Sequence, residues 1–186
     1  MTIRHDGPDR LDDLRRRADL DAALAYYDTL PAVTVEEMPG WWRGTGLPTG
    51  HPLDGLLEQL GWWGKRFDGP EKVHPLVFTT PGGRLTSIAP GLIPVGTLLR
   101  RPALTRLPAA ATLFRLARPL LATPRPAARL RMTEYRGVVT ATMCYDAHPI
   151  HDVFRRVDDD RLLGAMDVRG AEHPYLFVLT RTRPGQ

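Results

Sequence analysis

The chain of 186 residues is 42% hydrophobic and 25% charged, with a formal net charge of +4, the balance of a folded chain of one-domain size rather than of a disordered one. One serine (Ser87), no asparagine and one cysteine (Cys144) exclude a G-x-S-x-G nucleophile elbow, an N-glycosylation acceptor, an intrachain disulfide and a cysteine-based zinc site. No apolar run reaches about 18 residues and the first seventeen positions are rich in charge, so the expectation is a cytoplasmic protein with neither membrane span nor secretion signal.

In chain order, residues 9–29 read as a helix with Asp9 as N-cap, an apolar face through Leu11, Leu14, Ala18, Ala22 and Ala25, and Pro31 beyond its end. The run Gly40-Trp41-Trp42-Arg43-Gly44-Thr45-Gly46 predicts a first strand, and residues 53–60 predict about two helical turns that His51 and Asp54 could cap. Strands are expected over 62–68, 73–80 and 84–89, with Pro81-Gly82-Gly83 turning between the last two.

From 90 to 126 the pattern changes. Leucines alternate with arginines while six prolines beyond Pro90 forbid a long helix, which predicts two or three short amphipathic helices. Between Glu71 and Glu134 ten basic residues stand without one acidic residue, so against a total of +4 the remainder carries −6. Such a segment attracts phosphates, anionic head groups or acidic ligands. Nucleic acid is not expected, because the arginines stand among Leu, Ala and Pro and no helix-turn-helix, zinc-finger or RNP-type motif accompanies them.

Residues 129–146, 150–157, 161–168 and 174–183 read as strands joined by turns of Ala147-His148-Pro149, Asp158-Asp159-Asp160 and Arg169-Gly170-Ala171-Glu172. About eight short strands with peripheral helices favour a mainly β fold, a single antiparallel β-barrel, because closure removes exposed edges; a sandwich is the alternative. The organisation is then one domain over 1–186: a helical lead-in to 39, the first half of the barrel over 40–89, a basic helical insertion over 90–128 and a β-meander over 129–183.

The G-x-W-x-G run over 40–44, with Gly50-His51-Pro52-Leu53-Asp54-Gly55, Gly64-Lys65-Arg66-Phe67, Glu134-Tyr135-Arg136-Gly137 and Phe154-Arg155-Arg156-Val157-Asp158, resembles the family that pairs a GXWXG region with the domain of unknown function numbered 4334. Extended through Gly46, the motif is similar to the first strand of nitrobindins and lipocalins. That likeness implies a calycin-like ligand barrel with Trp42 plugging one end. Nitrobindins hold haem through a histidine, so haem is the cofactor the resemblance leaves open. Near the C-terminus only His148, His151 and His173 are available. No other cofactor is expected, and no metal: His148 and His151 are three apart on a strand and nothing completes a set.

Alternation nominates the interior. Lys65 shares parity with Trp63 and Phe67, His74 with Leu76 and Phe78, and Arg155 with Val153 and Val157; Tyr135, Val139, Ala141, Met143 and Tyr145 share one face of a long strand. The expected ligand-lining set is Trp42, Trp63, Phe67, Tyr135, Met143, Tyr145, Arg155 and Met166. The leading expectation is binding of a lipid-, isoprenoid- or polyketide-like molecule, its anionic head near Lys65 or Arg155, with residues 91–126 as a lid that could also touch anionic membranes, as helical caps of fatty-acid carriers do by analogy. The alternative is a cofactor-independent isomerase, cyclase or hydratase using Lys65, His74 and Tyr135, and the second alternative a haem protein. A homodimer is left open.

Overall fold

Nine antiparallel strands among the described residues carry the fold: β1 (Gly40–Gly46), β2 (Trp62–Gly69), β3 (Lys72–Thr79), β4 (Leu85–Ser87), β5 (Ala128–Tyr135), β6 (Val138–Tyr145), β7 (Ile150–Arg156), β8 (Arg161–Val168) and β9 (Tyr175–Thr182). They belong to a computed structural model that describes residues 7–101, 103 and 108–182. Hydrogen bonding runs β2-β1-β9-β8-β7-β6-β5-β3-β4 and returns through β2–β3, so eight strands close a ring and β4 hangs on β3 outside it. The ring has one thin seam. There β3 and β5 share a single register pair, Val73 with Ala128, reinforced by the Ala127 N–H to Val73 O (3.0 Å) and the Leu130 N–H to Pro70 O (2.7 Å).

Two differences from the sequence reading have local causes. The expected strand over 129–146 is a hairpin, β5 and β6 folded back at Arg136-Gly137, whose φ values of 50° and 75° suit a tight two-residue turn. The expected N-terminal helix is two, α1 (Gly7–Arg17) and α2 (Leu20–Thr29), broken where Ala18 takes φ 51° and the Asp19 side chain caps α2 by accepting from the Ala22 N–H at 3.1 Å. Asp9 therefore lies inside α1 and is not its cap. Residues 53–60 yield only one short helix, α3 (Leu56–Gln59), and Asp54 instead gathers the N–H groups of Thr49, Gly50 and His51. The 90–126 stretch forms α4 (Val95–Arg100) and α5 (Pro108–Leu121) after a 3-10 turn at Pro90–Leu92.

The core has two compartments on opposite faces of the sheet. Inside the ring pack Trp42, Trp62, Phe67, Val73, Phe78, Leu130, Met143, Phe154, Phe177 and Leu179, with Leu98, Leu99, Phe114 and Leu121 of α4 and α5 against them. Outside, Leu11, Leu14, Ala23 and Tyr27 of α1 and α2 cover Leu163, Ala165, Leu176 and Val178 of β8 and β9. Both faces of that part of the sheet are consequently apolar.

Candidate functional site

A buried ion pair occupies the interior. Lys65 Nζ lies 2.7 Å from Asp152 Oδ2, with the two side chains 3% and 0% exposed, and donates a second, longer bond to Pro75 O at 3.3 Å. The ammonium is walled by aromatic rings, 5.0 Å from the centroid of Phe177, 5.5 Å from Trp62 and 5.9 Å from Tyr145, distances at which the ring faces stabilise a cation. Tyr145 points its hydroxyl at Asp152 Oδ2 from 3.5 Å.

Asp152 stands in a cross-strand row, opposite Met143 on β6 and Met166 on β8, and Met166 in turn faces Tyr175 on β9. Its other oxygen, Oδ1, is buried without a hydrogen-bond partner, as are Trp62 Nε1 and the Tyr175 hydroxyl. Buried polar atoms are nearly always paired. The free Asp152 acceptor and the free Trp62 donor thus leave the hydrogen bonding around the ion pair incomplete, while the unpaired Tyr175 hydroxyl lies further along the ring, beside Gly46 and Glu58. Burial raises the Asp152 carboxyl above the usual aspartate range, against the opposing pull of Lys65 and its hydrogen bond. Burial and the neighbouring Asp152 charge likewise push the Tyr145 phenol well above its ordinary value.

The ring end beneath Trp42 is stoppered. Trp42 Nε1 donates to Met38 O at 2.8 Å, and the Arg181 guanidinium lies 4.2 Å from the Trp42 ring centroid while donating to Pro39 O and Glu37 O. On the α5 side, Phe114 packs on Phe78 with centroids 5.3 Å apart, and buried Arg118 donates to Thr79 O.

Residues 25–83 match the family model described as GXWXG protein, and residues 126–181 match the domain of unknown function DUF4334. A crystal structure of a protein from Thermomonospora curvata is 33% identical, the match covering 96% of this chain and 99% of that one, with a TM-score of 0.69. This chain belongs to the GXWXG/DUF4334 family. No curated protein matches it in sequence. The motif that names the family acts here in packing: Trp42 fills the closed end, and a Cβ at Gly44 would overlap the indole of Trp62, which lies across β1 at that point. The two matched segments of the GXWXG/DUF4334 chain meet at the ion pair, Lys65 coming from the first and Asp152 from the second.

Of the expected lining residues, Trp42, Phe67 and Met143 are in the inner cluster, with Tyr145 and Met166 partly buried against it. Trp63 is on the other face, edge-on to Trp41 at 5.6 Å with Arg43 over its ring. The register of β2 against β3 shifts between Trp62 and Gly64 and again between Gly64 and Arg66, so Lys65 comes to share its face with Trp62 rather than Trp63. Gly64 permits this with φ 150°, and a Cβ there would overlap the Trp42 carbonyl.

Arg155 is also on the outer face. It bonds Leu30 O and Tyr135 O, each at 3.1 Å, and lies over Tyr27, tying α2 to the β5–β6 hairpin. Tyr135 packs edge-on to the same Tyr27 at 6.2 Å. His74 pairs with Asp68, Nε2 to Oδ2 at 3.5 Å, beside Arg66. Lys65, His74 and Tyr135 therefore do not converge. The group that meets Lys65 is Asp152, which the sequence reading did not nominate, although it shares strand parity with the buried Ile150 and Phe154.

Proposed function

We propose that the ring interior binds a hydrophobic small molecule carrying an uncharged hydroxyl or carbonyl group, which completes the hydrogen bonds left open at Asp152 Oδ1 and Trp62 Nε1. The observation that carries this reading is the buried Lys65–Asp152 pair with one carboxylate oxygen free inside an aromatic enclosure. The anionic head expected from Lys65 alone is dropped, since Asp152 already balances the ammonium and Arg155 is on the outer face. The apolar body of the ligand would lie among Phe67, Met143, Phe154 and Phe177, with α4 and α5 over the open end.

The test is native mass spectrometry of freshly purified protein, with organic extraction and titration of long-chain alcohols, ketones and acids followed by tryptophan fluorescence. The expected result is a co-purifying or titratable neutral amphiphile whose affinity falls about tenfold or more in Asp152→Asn, as for loss of a buried charged acceptor. Protein that is free of ligand and silent to every class would sink the reading. One observation favours a second reading, an isomerase, cyclase or hydratase: a carboxyl raised by burial beside a lysine is suited to giving and taking a proton. In that case Asp152→Asn abolishes turnover of a bound ligand while binding largely persists.

The haem alternative finds little support in the described histidines, of which only His74 and His173 keep a buried ring nitrogen, Nδ1 in each, without a partner. His51 accepts the Leu53 N–H on Nδ1 and stands edge-on to His173, His74 engages Asp68, His148 engages Pro90 O, and His151 is exposed.

A further inference from the structure

Helix α5 buries one side and leaves another apolar side bare. Phe114, Ala117, Arg118 and Leu121 are turned toward the protein, Phe114 and Arg118 against Phe78. Leu113, Leu116 and Leu120 are 68%, 74% and 85% exposed. Their i, i+3, i+7 spacing sets them on one narrow stripe of the helix. Leu92, 63% exposed, belongs to the 3-10 turn that is fastened to the end of α5 by the Ala89 N–H to Leu121 O bond. Of the six large hydrophobics that are exposed among the described residues, these are four, and they are gathered on one segment.

The charge around the stripe is of one sign. Arg100, Arg101, Arg115 and Arg125 are all exposed, and among the described residues none has a carboxylate partner, Arg115 donating only to Gln59 O. Many arginines elsewhere in the molecule are neutralised, Arg15, Arg66, Arg129, Arg131, Arg136, Arg156 and Arg161 each being ion-paired, whereas Arg10, Arg43, Arg84 and Arg169 are scattered singly over the surface. The segment contains no acidic residue with which to form such pairs. An apolar stripe to insert, flanked by unneutralised cations, complements a surface that is apolar below and anionic above.

We propose that the α5 face, from Leu92 to Arg125, docks on an anionic lipid surface, with Leu113, Leu116 and Leu120 entering the head-group boundary and the arginines contacting the phosphates. The contact is peripheral, since no helix among the described residues is long and apolar enough to cross a membrane. It does not rest on the ligand reading above, because the stripe points away from the ring interior.

The test is co-sedimentation of the purified protein with phosphatidylglycerol and with phosphatidylcholine vesicles. The expected result is partition about tenfold or more stronger into the anionic vesicles, weakened by about 0.5 M salt. Leu116→Asp with Leu120→Asp removes the binding while the unfolding midpoint stays in place, because both side chains are exposed. Charge removal at Arg100, Arg101 or Arg115 weakens partition roughly fivefold per residue. Asp152→Asn, which removes the interior carboxylate charge away from the exposed α5 stripe, leaves vesicle binding of the folded protein intact, and this separates the two proposals.

Absence of sedimentation with anionic vesicles overturns the proposal, as does sedimentation indifferent to the leucine pair. Loss of vesicle binding together with self-association that Leu116→Asp breaks would make the occupant a second copy of the chain. Equal, leucine-dependent binding to an acidic peptide would make it a protein.

Discussion

Lys65 on β2 and Asp152 on β7 stand four strands apart whichever way the ring is followed, and their side chains nevertheless meet at 2.7 Å. The pair is thus a strut across the interior, joining opposite walls. Its removal has a different consequence from removal of a surface pair, because each partner is the other's ion-pair countercharge among the described residues in an apolar enclosure.

Lys65→Met should destabilise the fold by about 3–5 kcal/mol, since it leaves Asp152 buried and uncompensated. The double variant Lys65→Met with Asp152→Leu should recover most of that loss, with ligand binding still absent. Urea unfolding of the two variants checks this; a double variant no better than the single would mean that the strut contributes net stability.

Gly44→Ala should cost about 1–3 kcal/mol, the range for forcing extra volume into a packed core, because its methyl group would fall within the Trp62 indole. Adding Trp62→Phe to Gly44→Ala should return part of the stability. A thermal melt that separates the two variants by several degrees in that order would support the packing role of the second motif glycine. Additive losses would contradict it.

Acid sensitivity should begin well above the carboxylate range. His51 is held at a pKa of about 4 by burial and by the nearby His173, and it uses Nδ1 to accept the Leu53 N–H, which a protonated ring cannot do. The folded state therefore binds this proton less readily than the unfolded one. Stability is full at and above the ordinary histidine pKa of about 6.5 and is lost as pH falls toward 4. His74, lowered by burial and then by Arg66, acts in the same direction. Asp28, Glu37 and Asp68 are held below their ordinary values and contribute further down. Denaturation midpoints measured from about pH 7 to about pH 5 should fall in the wild type and fall less in His51→Asn, whose side-chain oxygen can still accept the same bond.

Arg155→Met should lower stability by about 2–3 kcal/mol through the two carbonyls it leaves unpaired, at Leu30 and Tyr135. Ligand affinity in the interior should be unchanged, as the guanidinium is on the other face of β7. A variant that folds well but loses ligand would show that the outer face takes part in binding after all.

Strand positions and the basic helical segment were legible in the sequence because turn residues and prolines bound them clearly, as with Pro81-Gly82-Gly83 before β4 and the proline-broken run that became α4 and α5. The hairpin at Arg136-Gly137 was legible too in principle, since residues 129–146 make an improbably long strand and a glycine follows a residue that takes positive φ.

The site was harder to read. On β7 the two parities, Ile150-Asp152-Phe154 and Val153-Arg155-Val157, are equally apolar because α2 covers the outer face, so alternation could not tell which of Asp152 and Arg155 faced inward. On β2 the register shifts around Gly64 reversed the parity between Trp63 and Lys65, and no periodic pattern contains a bulge. Only the ring's closure brings Lys65 to Asp152, a contact 87 positions apart in sequence.

The seam between β3 and β5 gives the ring a place to part. Separating those strands breaks fewer interstrand hydrogen bonds than separating any fully paired neighbours such as β5 and β6, and α4 and α5 are inserted in the chain between β4 and β5, directly ahead of the strand that forms one side of the seam. The amides of Ala127 and Leu130, which donate across it, should accordingly exchange with solvent ahead of those in β8 and β9. The molecule is in this respect less a closed hoop than a bracelet with a clasp, and a guest of the kind proposed above would enter sideways through it.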